Sequence, residues 1–104
     1  MITRIWRGEA LAANADAYEH FVTQRVFTEI AKLPGHRGAY LLRRELNGSV
    51  EFLAVTLWES LAAIRAFAGD KLETAVVEPE ARAVLSTFDE FVRHYEVAYG
   101  QACS

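Results

Sequence analysis

The chain is poor in the residues that mark specialised scaffolds: 104 residues hold one cysteine, two prolines, six glycines and one methionine. The lone thiol, Cys103, can form no intrachain disulfide, which fits a reducing compartment rather than a stapled secreted domain. Too little glycine and proline is present for a flexible linker or a low-complexity tract, and no internal repeat occurs. A basic excess is also missing. Eleven Lys and Arg stand against 14 Asp and Glu, for a net charge of −3, and they are scattered, so no field exists for a nucleic-acid backbone. No uncharged run approaches the ~20 residues of a membrane span. The opening MITRIWRGEA carries Arg4, Arg7 and Glu9 and lacks the apolar stretch of a signal peptide. These absences lead to the expectation of a cytoplasmic protein with neither nucleic acid nor membrane as partner.

Chemical signatures are equally sparse. There is no glycine-rich phosphate loop, no nucleophile elbow and no HExxH pair. The three histidines, His20, His36 and His94, are dispersed without the short spacings of metal ligands. No metal, haem or flavin is therefore expected, and cofactors are expected to be none.

What the chain does contain is apolar surface, 52% of residues, with 24% charged, which suits one packed domain. Ile2 to Gly8 reads as a strand. Asp16 and Glu19 have capping-box spacing, and Tyr18, Phe21, Val22, Val26, Ile30 and Leu33 recur at helical intervals until Pro34-Gly35 stops the helix. GAYLLRREL and Val50 to Trp58 read as two strands of a hairpin turning at Asn47-Gly48. Ser60 caps a short helix through Ala68. Asp70 and Glu73 suggest a second short helix, Pro79 opens a segment to Leu85, and Phe88 to Val97 is the last strand.

This order, βαββαβ, is that of a ferredoxin-like α+β fold, an antiparallel sheet with helices on one face. A single domain over 1–98 with a tail over 99–104 is expected. The third strand places Phe52, Ala54, Thr56 and Trp58 on one side and Leu53, Val55 and Leu57 on the other. Both sides are apolar and only one helical layer is available, so a second copy of the chain is expected on the open side, as a homodimer.

Candidate site residues follow from chemistry. His94 lies on the last strand, where a neutral imidazole could accept a proton near neutral pH; the plainer alternative is a core-edge histidine with one hydrogen bond. Trp6, Tyr40, Trp58 and Phe67 belong to an aromatic set that could line a pocket for a flat organic ligand, although such stripes usually form core. His36 and Arg37, in PGHRG, could meet an anion or simply form a surface turn.

From Ile2 to Val97 the sequence resembles the antibiotic biosynthesis monooxygenase-like family of dimeric α+β barrels. The resemblance rests on Pro34-Gly35 with Gly38 after the long helix, on TLWESLAAIRAFAG, on Pro79 and on His94-Tyr95-Glu96-Val97. It implies a dimer whose sheets meet as a barrel, and it matches Trp58 to the family's pocket tryptophan. The haem-degrading branch also uses an asparagine on the first strand and an iron-binding histidine after that tryptophan. Here the first strand offers Arg4 and Trp6, and no histidine occurs between Trp58 and His94, so haem chemistry is not expected. In the quinone-forming branch the substrate itself activates oxygen, so the resemblance implies cofactor-independent oxidation of an aromatic, polycyclic phenol or polyketide-type substrate. Catalytic His94 and substrate-binding Trp58, Arg4, Trp6, Tyr40 and Phe67 are the residues expected to carry it. A non-catalytic barrel binding a small apolar molecule, or an isomerase on the same fold, uses the same pocket.

Overall fold

The computed structural model describes residues 1–101; Cys103 and the end of the expected tail lie outside them. Its sheet is antiparallel throughout and is centred on β1 (Ile2–Leu11). On one side β1 pairs with β3 (Ser49–Trp58), which pairs with the edge strand β2 (His36–Leu46). On the other side it meets two short strands, β4 (Thr87–Phe88) and β5 (Arg93–Glu96). Helices α1 (Ala12–Phe21) and α2 (Phe27–Ile30) pack on one face, joined by a π-helical turn over Val22–Val26. Two more helices, α3 (Leu61–Ala68) and α4 (Pro79–Val84), complete the ferredoxin-like α+β arrangement.

Strand alternation decides what each face buries. Even-numbered residues of β1 and β3 point to the helices, and Ala10, Val50, Phe52 and Trp58 are among the most buried side chains. Two apolar clusters result. One joins Ala10, Ala15, Tyr18, Val22, Val50, Phe52 and Ala81; the other joins Ile30, Trp58 and Ile64.

Several elements depart from the sequence expectations. β1 runs on to Leu11, because its register with β3 continues to Ser49 and Ala12 N–H then donates to the Gly48 carbonyl at 3.2 Å. The first helix starts at Ala12 with no side-chain cap, so Asp16 and Glu19 are not a capping box. Both instead accept from Arg43 of β2, at 3.2 and 2.8 Å. No helix forms between Gly69 and Pro79. Residues 70–78 run irregularly and attach to the last strand, where Ala75 N–H donates to Glu90 O (2.8 Å) and Val92 N–H to Glu73 O (2.7 Å).

The last strand is broken by that attachment. Gly8 faces Phe88 and Ile5 faces Arg93, so a step of three residues on β1 matches five on the paired segment. The two extra residues form a bulge over Asp89–Val92, which turns from β1 to pair with 73–75. Elsewhere the local signals hold: Ser60 accepts from Ala63 N–H at 3.2 Å as N-cap, Pro79 opens α4, and Gly48 takes φ 83° in the hairpin turn.

Candidate functional site

Between the helix-covered face of the sheet and the first helix lies a cavity of ≈80 Å³. Arg4 and Trp6 of β1 with Ala54 and Thr56 of β3 form its floor. Tyr18, Phe21, Val22, Val26, Phe27 and Ile30 form the roof, and Phe67, Val76, Val77, Glu78, Ala81 and Val92 close the sides. A second space of ≈210 Å³ adjoins it, sharing Val26, Ile30, Phe67 and Glu78 and adding Leu33 with the polar rim Arg25 and Glu29. The cleft therefore has an apolar inner end and a charged mouth. The π-helical turn supplies Val22 and Val26 to the roof; such turns insert one residue into a helix and recur at ligand sites.

Arg4 dominates the inner end. Only 5% exposed, it donates through Nη1 to Leu72 O (2.7 Å) and through Nη2 to Thr74 O (3.0 Å). Its Nη1 also lies 3.0 Å from His94 Nε2. Arginine only donates, so that nitrogen accepts and the His94 proton resides on Nδ1. Of the five N–H donors on a guanidinium, the Nε–H and one Nη2–H stay unengaged among the described residues. Burial draws the Arg4 pKa down to about 10, and Glu73 offsets this only through space; the group is still a cation at neutral pH. An apolar cavity thus contains a positive charge with no carboxylate in contact.

His94 faces Arg4 directly across the β1–β5 pairing. It is half-buried, and its pKa is lowered, first by burial and then by the Arg4 cation, with Glu73 opposing. It is accordingly neutral at pH 7. The single hydrogen bond to Arg4 occupies its accepting lone pair.

The aromatic residues separate into wall and backing. Trp6 lies on the floor with its Nε1–H on Asp89 O at 2.8 Å, so the bulge in the last strand holds this ring. Phe67 lines both spaces, and the Arg4 guanidinium lies over it at 5.7 Å. Trp58 is wholly buried, outside the lining of either space. It stacks on Phe67 at 5.7 Å, and its Nε1–H donates to Thr56 Oγ1 at 2.8 Å. It thus backs two wall residues. Tyr40 stands on the other face of the sheet, paired with Val55 and 59% exposed, because it falls on the opposite phase of strand alternation. Within one chain it does not meet the cavity.

The PGHRG loop divides as well. Arg37 forms an exposed ion pair with Glu59 at 3.1 Å. His36 turns its edge to Trp58 (5.4 Å), and burial lowers its pKa and leaves Nδ1 without a partner.

Sequence reading missed Tyr18. Its helical periodicity marks a core position, and it is 2% exposed, packed on Phe52 at 4.8 Å. Yet it lines the cavity, and its hydroxyl bonds to no described residue without being sealed away. Burial raises its pKa, which keeps it a neutral phenol. Tyrosine on an apolar helix face was the available signal, since a buried hydroxyl needs a partner.

Solved structures share this fold. The haem degrader MhuD of Mycobacterium tuberculosis, determined with two haems in its active site, is 22% identical over 98% of this chain and 100% of that one, with a TM-score of 0.64. SnoaB of Streptomyces nogalater, a cofactor-independent oxygenase, is 22% identical as its N63A mutant, over 95% and 94%, at 0.66. The ActVA-Orf6 monooxygenase of Streptomyces coelicolor, in complex with nanaomycin D, is 14% identical over 99% and 92%, at 0.64. A haem does not fit the residues of the present cleft. The lining offers no imidazole or thiolate, Tyr18 is held protonated, and the inner space is far too small for a tetrapyrrole. No curated protein sequence matches the chain. The sequence profile of the antibiotic biosynthesis monooxygenase family matches residues 1–79, three quarters of the chain, and the protein belongs to that family.

Proposed function

We propose that the protein is a cofactor-independent monooxygenase acting on an aromatic phenol. The observation that carries this reading is the buried guanidinium of Arg4, with no carboxylate in contact, at the inner end of an apolar cleft. Such a cation stabilises an oxyanion in a place from which water is excluded, so a bound phenol ionises below its usual pKa of ~10. His94 stands behind Arg4, outside the lining of the cleft, and its Nε2 takes up the phenol's proton by way of Arg4 when Nη1 turns from it to the phenolic oxygen. The phenolate then delivers electrons from a ring carbon to molecular oxygen. A C–O bond forms at that carbon, its C–H proton is lost and the O–O bond breaks. One oxygen remains as the quinone carbonyl and the other leaves as water. Phe67, Trp6 and the helix residues hold the ring, while Trp58 keeps Phe67 and Thr56 in place.

Oxygen uptake with a panel of phenols tests this. Arg4→Gln should lower turnover by ~10²–10³, the usual effect of removing an oxyanion donor. His94→Gln should lower it less and abolish the acid limb of the pH profile. No oxygen uptake with any phenol that binds the cleft would sink the reading. The occupied lone pair of His94 favours a second one, ligand binding without turnover. In that case phenols bind tightly, and neither variant changes a rate.

We further propose a homodimer joined through the open face of the sheet. Ile5, Leu53, Val55 and Leu57 lie half-buried there, beside Tyr40, Leu42 and Tyr95 at 59, 49 and 52% exposure. Contiguous apolar surface of this kind marks an interaction face, and a specific interface buries ~1,600 Å² in total. Barrel closure through this face would give Tyr40 an apolar setting.

A further inference from the structure

The proposed oxidation leaves one feature of the cavity without a role: Tyr18, a lining side chain only 2% exposed, whose hydroxyl bonds to no described residue and is not sealed away. We propose that Tyr18 is a second recognition point, so that the inner cavity selects a single-ring phenol bearing a hydrogen-bond-accepting oxygen opposite its ionised one. This rests on the phenol reading above and narrows its substrate class.

The two polar groups sit on different walls. Arg4 rises from the floor and is held by the carbonyls of Leu72 and Thr74. Tyr18 descends from the first helix onto Trp6 (6.3 Å between rings) and Phe52 (4.8 Å). Trp6 and the Gly8 that pairs with Phe52 lie two and four residues beyond Arg4 on β1, a displacement of roughly 7–13 Å at ~3.3 Å per residue. A para-substituted ring with an oxygen at each end, and a hydrogen bond of ~2.8 Å from each oxygen, spans about 11–12 Å. One ring is therefore of a length to join Arg4 and Tyr18 across the Trp6 face. Volume points the same way: the inner space of ≈80 Å³ is smaller than the ~150 Å³ that holds benzene in an engineered cavity, so one ring already borrows from the adjoining ≈210 Å³. Because Tyr18 keeps its proton, it serves as the donor, and the matching ligand atom is a carbonyl, nitro or hydroxyl oxygen.

Titration of the tryptophan fluorescence with para-nitrophenol and para-ethylphenol tests this on wild type, Tyr18→Phe and Arg4→Gln. The first probe has an acceptor opposite the phenol and the second has none. Tyr18→Phe should weaken para-nitrophenol by about tenfold, the cost of one hydrogen bond, while changing para-ethylphenol by less than about twofold. Arg4→Gln should weaken both. Equal losses for the two probes in Tyr18→Phe, no loss for either, or no saturable binding of para-nitrophenol to wild type would each overturn the proposal. The absorbance of bound para-nitrophenol separates it from the parent reading. A colourless, neutral probe would remove the Arg4 oxyanion site, yet the Tyr18 affinity ratio would still be read. Should Tyr18→Phe fail to fold, wild type alone decides: corrected for ionisation, para-nitrophenol must bind more tightly than meta-nitrophenol, and equal affinities refute the proposal.

Discussion

The two faces of one sheet, written by the same alternating strands, end in opposite conditions. On the helix side Arg4, Gly8, Ala10, Phe52, Thr56 and Trp58 are all buried, and the space that remains between them and the helix is a cleft with a charge in it. On the open side Ile5, Leu53, Val55 and Leu57 stay half-buried beside three exposed large side chains. The far end of that side is sealed by polar chemistry: Arg7 bonds Glu51 and Glu9, Arg44 reaches Glu51 at 2.8 Å, and Ser49 donates to Glu9 at 2.8 Å. Apolar content alone does not separate the faces. What separates them is whether the chain supplies its own cover, and here it supplies enough for one side.

The sharpest way to break the comparison is at its most buried point. Trp58→Ala should destabilise the fold by about 3–5 kcal/mol, since the ring is fully buried against Phe67, Ile30 and Ile64 and its loss leaves a cavity. Trp58→Phe should cost less and weaken ligands only through Phe67. Thermal or urea unfolding reads the first, and fluorescence titration the second. A loss under about 1 kcal/mol for the alanine variant would mean that the indole borders empty space after all.

The open face should answer to charge instead. Val55→Asp sits mid-strand among apolar neighbours and should weaken self-association by about 2–4 kcal/mol through an unpaired interface charge, with little effect on the folding of the single chain. Sedimentation at micromolar concentration measures it. A wild-type monomer under those conditions removes the proposed dimer, and the comparison of faces then reduces to one buried side and one merely tolerated.

The same two faces explain what could be read from sequence. The period-two pattern of Phe52, Ala54, Thr56 and Trp58 against Leu53, Val55 and Leu57 is local, and strand pairing preserves it. Caps and stops such as Ser60, Pro79 and Gly48 are set by one residue's own geometry, so they too were legible. Asp16 and Glu19 misled because their partner, Arg43, is distant in sequence and outcompetes the local cap. The break in the last strand depends on Glu73, Ala75, Glu90 and Val92 meeting across the chain, which no window reveals. At the site, Arg4, Trp6 and Phe67 line the cleft, whereas Tyr40 falls on the opposite phase of its strand, Trp58 one layer behind the wall and His94 behind Arg4. The position of Tyr18 in the cavity depends on where a helix lands, and helical periodicity reports only that a face is covered.

A smaller effect probes how tightly the helix-side floor is packed. A Cβ on Gly8 would come within 2.3 Å of the Trp6 ring, which lies across it and is held by Asp89. Gly8→Ala should therefore cost about 1–3 kcal/mol by overpacking, and should weaken single-ring phenols because the displaced indole intrudes on the cleft. Affinity unchanged alongside lost stability would show that Trp6 yields away from the ligand.

The smallest expected effect is a dependence on pH in the imidazole range, which only the helix side can produce. His36 and His94 both have pKa values below the ordinary imidazole value, chiefly through burial, and His94 further through Arg4. The folded chain prefers both rings neutral, so the unfolded chain binds more protons once the pH falls under ~6.5. Stability contributed by these rings is complete above that value and declines as pH drops toward the lowered native pKa values, below which it changes no further. His94→Gln should flatten part of this slope and His36→Gln another part, because the rings sit at opposite ends of the Trp58–Phe67 stack and share no partner. Protonated His94 can no longer accept from Arg4, so the same acid range should loosen the inner end of the cleft and reduce phenol affinity. No strand histidine points to the open face, and its Glu51, held below the ordinary carboxylate pKa by Arg7, acts only at lower pH, so that face should contribute no slope in the imidazole range. Urea midpoints of wild type and the two variants, collected between neutral and mildly acidic pH, measure the slopes; a stability that rises on acidification would reverse the sign and place a stabilised imidazolium in the native fold.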